Sequence, residues 1–319
     1  MDSPSYVYCC CDAIVGPILR ITFNYAPLTR LIRTLQRNKV IDVKFTHKAD
    51  FRPPEKGPPP QSSPSKSPLV SEIPAVRHGL EDLDFELEQG KLVCILGPPG
   101  EGKGTVLRLL SYMVFPDKDS AGTIFVPPHI RAVQIQQDPF ILGPEETVFD
   151  NLAYGMKVSP STDWSALENR CRGVLSGVGG EKAASLLENL KVKGYLGVDG
   201  CKVTRMSRQL IHIARALVMN PEMLIVHKPM PLLSPEVRPL VFKAFQEYCH
   251  NRGYLMSATE PFIRRRKRTL IYTGYTVEDA TMADIIFVLQ SGRLTEISKE
   301  KVGLVVSQFG KEPAAGTDL

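Results

Sequence analysis

The residues best suited to chemistry form a glycine-rich turn with one lysine, Gly97-Pro98-Pro99-Gly100-Glu101-Gly102-Lys103-Gly104-Thr105. Glycines let backbone N–H groups point inward, because a Cβ at those positions would collide with a bound anion. The lysine supplies a full positive charge for terminal phosphates, and the hydroxyl of Thr105 can donate to an inner phosphate. The spacing therefore predicts a phosphate-binding loop over residues 97–105.

Two elements must hold this loop in place. Residues 93–96 are all apolar and predict a buried strand before the loop. An amphipathic helix is expected after it, and its N-terminus adds partial positive charge for an anion. One position departs from the usual loop, because Gly104 follows the lysine where a Ser or Thr hydroxyl normally holds Mg²⁺.

Length and composition bound what the chain can be. With 319 residues, of which 43% are hydrophobic and 23% charged, it can fold around a sizeable core. A net charge of +5 is too small to indicate nucleic-acid binding, and the basic run at 264–268 is interpreted as a solvated loop edge. No run of about 18 apolar residues occurs, so we expect no complete membrane span in this chain.

The order of the remaining segments predicts the domain organisation. Strand and helix patterns alternate after the loop, which indicates an α/β fold with a mostly parallel sheet. We expect a basic joining segment at 1–39, a nucleotide-binding domain at 40–300 and a C-terminal tail at 301–319, polar from Lys311 onward. Within the domain, residues 52–68 are crowded with prolines and predict a disordered insertion, and residues 145–205 predict a helical subdomain that contains the single tryptophan, Trp164, as a packed side chain.

Five further segments, taken in order, resemble the nucleotide-binding domain of ATP-binding cassette (ABC) transporters of the exporter type: 136–140, 147–155, 214–217, Met223–Val226 and 284–289. The resemblance implies a P-loop NTPase (RecA-like) core with a small antiparallel β subdomain and a helical subdomain. It also implies ATP and Mg²⁺ as cofactors, a membrane-spanning domain and a second nucleotide-binding domain as partners, and a place at the cytoplasmic face of a membrane. It implies no nucleic-acid partner.

The resemblance assigns roles where residues match. Gln137 corresponds to the glutamine that reaches the Mg²⁺ and the attacking water, and residues 140–155 to the stretch that meets the membrane domain. His47 falls where the family stacks an aromatic ring on adenine. The candidate metal ligands are Gln137 and Thr105.

The mismatches concern hydrolysis. The family's metal-binding Asp is replaced by His227, and its general base, a Glu, by Lys228. A protonated lysine cannot accept a proton from water, and its charge repels a metal ion. The signature loop aligns with residues 203–207, where Arg205 replaces a glycine. The family's switch histidine aligns with Gly274 or Tyr275, so no residue at the family's catalytic positions can act as a base.

We therefore expect an ATP-binding domain coupled to a membrane domain, with impaired hydrolysis. A working ATPase of the same family is an alternative, with Glu101 or Asp138 as a substitute base. A nucleoside monophosphate kinase is another, because residues 102–105 are similar to the adenylate kinase loop. A structural domain that binds no nucleotide is the fourth interpretation.

Overall fold

The computed structural model describes residues 37–45, 80–115, 123–127, 129–156, 159–256 and 261–309. The described strands, in chain order, are β1 (Arg37–Phe45), β2 (Leu80–Glu88), β3 (Leu92–Leu96), β4 (Thr123–Phe125), β5 (Ala132–Ile135), β6 (Met223–Val226), β7 (Thr269–Thr273), β8 (Ile285–Gln290) and β9 (Arg293–Ile297). The described α-helices are α1 (Lys103–Leu110), α2 (Val148–Ala153), α3 (Trp164–Gly179), α4 (Ala184–Glu188), α5 (Arg205–Met219), α6 (Arg238–His250), α7 (Val277–Thr281) and α8 (Val302–Gln308).

The larger sheet places the predicted loop strand near its middle. Its strand order is β5-β6-β7-β3-β8-β9, and every neighbouring pair is parallel except β8 with β9. Every residue of β3, β6 and β7 is buried. Strands β3 and β6 are unbroken apolar runs, as expected of central parallel strands, and β7 is apolar between two threonines. The carboxyl ends of these strands share one edge of the sheet, where the loop after β3 emerges.

The smaller sheet confirms the predicted antiparallel β subdomain. Its order is β2-β1-β4, with both pairs antiparallel. Its middle strand, β1, runs from Arg37 to Phe45. His47 lies outside the described residues, as do residues 52–68.

Two apolar clusters cover the two faces of the large sheet. One joins β2, β3, α1 and β8, and the other joins the sheet to α3, α5 and α6. Helices α2, α3 and α4 fall within the predicted helical subdomain. None of the described helices is long and apolar enough to cross a membrane.

Two local expectations are corrected. Arg268 was interpreted as part of a solvated edge, but it is buried, because its guanidinium contacts Glu222 at 3.6 Å and Asn220 Oδ1 at 3.2 Å. Residues 302–308, assigned to a tail, form helix α8 instead, since Val302 is fully buried in the core.

Candidate nucleotide-binding site

The loop after β3 has the backbone shape that its glycines predict. Strand β3 ends at Leu96 and helix α1 begins at Lys103. Gly97 has φ +151°, and a Cβ there would lie 2.3 Å from the carbonyl oxygen of Leu289 in the neighbouring strand β8. Gly102 caps the helix in the left-handed region, with φ +92°. Side chains at these two positions would force the loop away from the sheet edge.

Lys103 is folded onto its own loop. Its side chain is only 4% exposed, and Nζ donates to the carbonyl oxygens of Gly97 (2.6 Å) and Pro98 (2.7 Å). Burial, and then the charge of Lys228, lower the pKa of Lys103 to about 8, against an opposing effect of Glu101. The ammonium is therefore held where a bound anion would stabilise its charge.

A cavity of about 290 Å³ opens over this loop. Six of its lining residues belong to the predicted loop, namely Pro99, Gly100, Gly102, Lys103, Gly104 and Thr105. Four more come from elsewhere in the chain, namely Arg108, His227, Lys228 and Tyr275. None of these described lining residues carries a carboxylate. Glu101 belongs to the loop but does not line the cavity. The cavity is therefore strongly electropositive.

His227 and Lys228 follow strand β6 and are held together by one hydroxyl. Lys228 N donates to Thr273 Oγ1 at 2.8 Å, and the same hydroxyl lies 3.2 Å from His227 Nδ1. Burial and three nearby cationic groups lower the pKa of His227 to about 4, so its imidazole is neutral at pH 7. If Thr273 donates its proton to Nδ1, the imidazole proton lies on Nε2. A Cβ built on Gly104 would lie 3.4 Å from that Nε2.

The residues after β7 face in different directions. A Cβ on Gly274 would lie 2.8 Å from Cys94 Sγ, so this position packs against the sheet. The ring of Tyr275 lies in the cavity instead, with Lys103 Nζ 5.2 Å and Lys228 Nζ 5.7 Å from its centroid. Both ammonium groups thus share one aromatic ring.

A second cavity of about 210 Å³ adjoins the first and contains Gln137. The two share the lining residues Gly104, Arg108 and His227. Asp138, one of the two carboxylates proposed as a substitute base, lines this second cavity. The other, Glu101, has a buried Oε2 with no hydrogen-bond partner among the described residues.

Known proteins share sequence and fold with this part of the chain. The family model described as ABC transporter matches residues 80–230. Residues 80–230 belong to the ABC transporter family. ABC multidrug transporter E of Aspergillus fumigatus is 27% identical over 233 residues, which cover 65% of this chain and 18% of that protein's length. The chain thus spans about a fifth of this curated relative.

Two solved structures share the fold of this ABC domain. A bacterial Atm1-family ABC exporter with ATP bound gives a TM-score of 0.59 at 19% identity, covering 88% of this chain and 43% of that one. An ABC transporter in an inward-facing conformation gives a TM-score of 0.55 at 15% identity, covering 85% of this chain and 89% of that one. The predicted α/β fold with a mostly parallel sheet is confirmed.

ABC domains bind ATP, generally with Mg²⁺. The residues of this loop fit ATP but do not fit Mg²⁺. Mg²⁺ requires oxygen ligands in near-octahedral geometry. Gly104 offers no side-chain oxygen, and the ammonium of Lys228 repels a cation. The two predicted metal ligands line different cavities, Thr105 the first and Gln137 the second. In the described part of the chain, no group of three or more His, Cys, Asp or Glu side chains is arranged to hold a metal ion.

Sequence reasoning did not assign Arg108 to the site of this ABC domain. It lines both cavities from helix α1. The available signal was its spacing, because residues four apart lie on the same face of a helix and Arg108 is four residues after Gly104. Tyr275 was considered only as a replaced histidine, and no local pattern indicated that its ring reaches two lysines.

Hydrogen bonds from the buried side chain of Arg215 hold the segment at 140–155 in place. This side chain is only 6% exposed and donates to Asn151 O at 2.6 Å, Asn151 Oδ1 at 2.7 Å and Phe140 O at 3.0 Å. Its guanidinium also lies 6.0 Å from the Phe140 ring and 5.9 Å from the Tyr154 ring. One buried cation therefore fixes both ends of the segment.

An open groove of about 420 Å³ runs over the same segment of the ABC domain. Its apolar wall includes Phe149, Tyr154 and Trp164, and the last two are 55% and 53% exposed. The expectation that Trp164 is packed is wrong. Its ring makes an edge contact with Phe149, with centroids 6.5 Å apart, because it occupies the first turn of α3 at the rim of this groove.

Helix α5 begins at the residues aligned with the signature loop. Thr204 is its N-cap, and Oγ1 accepts a hydrogen bond from Ser207 N at 3.0 Å. Arg205 opens the helix and, with Arg208, lines a third cavity of about 250 Å³ that also contains Gln137 and Asp138. The hydroxyl of Thr204 thus has a structural role as a helix cap.

Proposed function

We propose that this chain is an ABC transporter domain that binds ATP on the loop at 97–105 but hydrolyses it very slowly. The observation that carries the proposal is the cavity over the loop, where Lys103 and Lys228 share the ring of Tyr275 and none of the described lining residues carries a carboxylate. The first lysine suits a polyphosphate, and the second occupies the position of the family's general base.

Slow hydrolysis follows from the chemistry of Lys228. An ammonium has three donors and no acceptor, so it cannot take a proton from an attacking water. The neutral imidazole of His227 replaces the carboxylate that the resemblance assigns to the metal. Losing one electrostatic group of this kind typically costs about 10²–10³ in rate. With both replaced, we expect negligible turnover from this site alone.

The remaining site residues keep their expected roles in this proposal. His47 would stack on the adenine, and Gln137 would approach the terminal phosphate from the second cavity. Tyr275, rather than Gly274, is proposed for the switch position, because its ring lies beside both lysines. No residue of this chain is assigned a catalytic role.

The partners are proposed from two surfaces. The groove beside Trp164 is open and partly aromatic, which suits a helix of a membrane-spanning domain. The start of α5, with exposed Thr204 and Arg205, suits the nucleotide of a second nucleotide-binding domain. This would place the chain at the cytoplasmic face of a membrane, as part of a transporter.

ATP binding is tested by calorimetric titration and by thermal unfolding of the purified protein. ATP should bind and raise the unfolding temperature, since a ligand of the folded state stabilises it. Lys103→Ala should abolish both effects, while Lys193→Ala, which removes an exposed lysine that lines none of the cavities around the loop, should change neither. A wild-type protein that shows no heat of binding and no thermal shift would refute the proposal.

A working ATPase is the second candidate, and the position of Asp138 is what favours it. This carboxylate lines the same cavity as Gln137 and His227, next to Gly104. If it acted as a base, the wild-type protein would turn over ATP and Asp138→Asn would stop it. If the first proposal holds, turnover is negligible in both proteins and ATP binding persists in the variant.

A further inference from the structure

The cavity over the loop carries more fixed positive charge than a magnesium nucleotide needs. Its lining includes the ammonium groups of Lys103 and Lys228 and the guanidinium of Arg108, and its described lining residues contribute no negative charge. The two ammonium groups face one ring, that of Tyr275. An anion placed between them would relieve their mutual repulsion, whereas a divalent cation would add to it.

The place beside Gly104 is filled by the imidazole of His227, whose Nε2 lies 3.4 Å from where a Cβ of residue 104 would be. If Thr273 donates its proton to Nδ1, the neutral imidazole carries its proton on Nε2 and presents an N–H here. The hydrogen bond between Thr273 Oγ1 and His227 Nδ1 fixes the orientation of the imidazole ring. In the family pattern, a hydroxyl at position 104 and a carboxylate at position 227 would both be oxygen ligands for Mg²⁺. Gly104 and the imidazole of His227 provide no such side-chain oxygen.

We propose that this site takes ATP as the metal-free anion, with the charge of Lys228 in place of the divalent cation and His227 Nε2–H as a phosphate donor. This inference rests on the proposed function, because it specifies the form in which the nucleotide is bound. A triphosphate carries about four negative charges without a metal ion, and the lysines and Arg108 offer three positive ones.

In a competing arrangement, a metal ion would lie in the second cavity, which also contacts Gly104. Asp138 and Gln137 both offer oxygen atoms to the second cavity, which adjoins the first. Both side chains are exposed and Arg108 lines the same cavity, so any carboxylate charge is partly balanced before a cation arrives. The experiment must therefore separate a metal held by Asp138 from no metal at all.

The test is a calorimetric titration of the purified protein with ATP, in excess Mg²⁺ and in excess EDTA at matched ionic strength. We expect ATP to bind in EDTA at least as tightly as in Mg²⁺. Lys228→Gln should weaken binding in EDTA by about tenfold, since it removes one of three charges around the phosphates. The same variant should weaken AMP binding less than ATP binding, because AMP lacks the β- and γ-phosphates. Lys193→Gln makes the same change in net charge elsewhere and should have no effect.

A gain of metal dependence tests the same idea in the opposite direction. The triple variant Gly104→Ser, His227→Asp and Lys228→Glu restores the oxygen ligands at the loop, and removal of the imidazole makes room for the new side chain. It should bind ATP in Mg²⁺ and lose that binding in EDTA. Cooperative thermal unfolding checks that it is folded.

The outcomes distinguish the two proposals. Binding that requires Mg²⁺ in the wild-type protein overturns the metal-free inference and leaves the proposed function standing. If Asp138→Asn then removed the gain in ATP affinity that Mg²⁺ provides, the metal would lie in the second cavity. Absence of binding in both Mg²⁺ and EDTA overturns the proposed function, and the inference with it.

Discussion

The affinity of this protein for ATP should fall as the pH rises through 8, because of Lys103. Burial and the charge of Lys228 lower the pKa of this ammonium from 10.5 to about 8 in the free protein. Bound phosphates favour the charged form and raise that pKa again. ATP therefore binds the protonated state, so affinity is full below pH 8 and is lost above it.

The size of the effect follows from the protonated fraction. Raising the pH from about 7 to about 9 lowers the protonated fraction of a group with a pKa near 8 from about nine in ten to about one in ten, so affinity should fall by about tenfold. The nucleotide itself contributes little to this change, because phosphate monoesters are already ionised above a pKa near 6. Near pH 8, binding should take up about half a proton per ATP.

The assay is calorimetric titration with ATP in buffers of different ionisation enthalpy, which measures affinity and proton uptake together. Lys103→Arg is the matched control, because a guanidinium stays charged over this range. The affinity of this variant for ATP can be lower than that of the wild type, but it should not fall in the same way between pH 7 and pH 9. ATP binding to the variant should take up no proton. Thermal unfolding at each pH verifies that the fold is retained.

The reasoning would be refuted by a wild-type affinity that stays constant between pH 7 and pH 9. It would also be refuted by an equal slope in the arginine variant, since the titrating group would then be another residue.

Three further substitutions test the framework of the site. Arg215→Ala should destabilise the protein by about 3 kcal/mol or more, because it leaves buried acceptors of Asn151 without their donor; denaturant unfolding measures this, and amide exchange should rise in residues 140–155. Gly97→Ala should cost at least about 3 kcal/mol, because its Cβ would lie 2.3 Å from the Leu289 oxygen; thermal unfolding measures this. Thr204→Ala should cost about 1 kcal/mol through the lost helix cap, again seen in denaturant unfolding.

Each of the three has its own control. Arg215→Lys keeps the charge but cannot reproduce the guanidinium fork, so it should remain destabilising; full rescue would argue that charge alone matters. Gly143→Ala adds a Cβ with nothing within 4 Å and should be close to neutral. Thr204→Ser retains the capping hydroxyl and should restore most of the stability. An equal loss of stability in the last two controls would contradict the steric clash at Gly97 and the capping role of Thr204.

Local patterns predicted the elements of this fold better than the exposure of single side chains. Apolar periodicity, which is a local property, predicted the buried strand before the loop and the alternation of strands and helices after it. Exposure does not follow in the same way. Trp164 was expected to be packed and lies at a groove rim, and Arg268 was expected in solvent and is buried beside Glu222, because both outcomes depend on segments distant in sequence.

The sequence by itself determined that this chain has a phosphate-binding loop between a buried strand and a helix, and that a lysine follows strand β6. Only the tertiary structure decided that this lysine and Lys103 face the same ring of Tyr275, and that His227 fills the space beside Gly104. The physical reason is the order of the parallel sheet. Strand β7 lies between β3 and β6, so the loops after all three meet at one edge, and Thr273 at the end of β7 holds the residues of its neighbour in place.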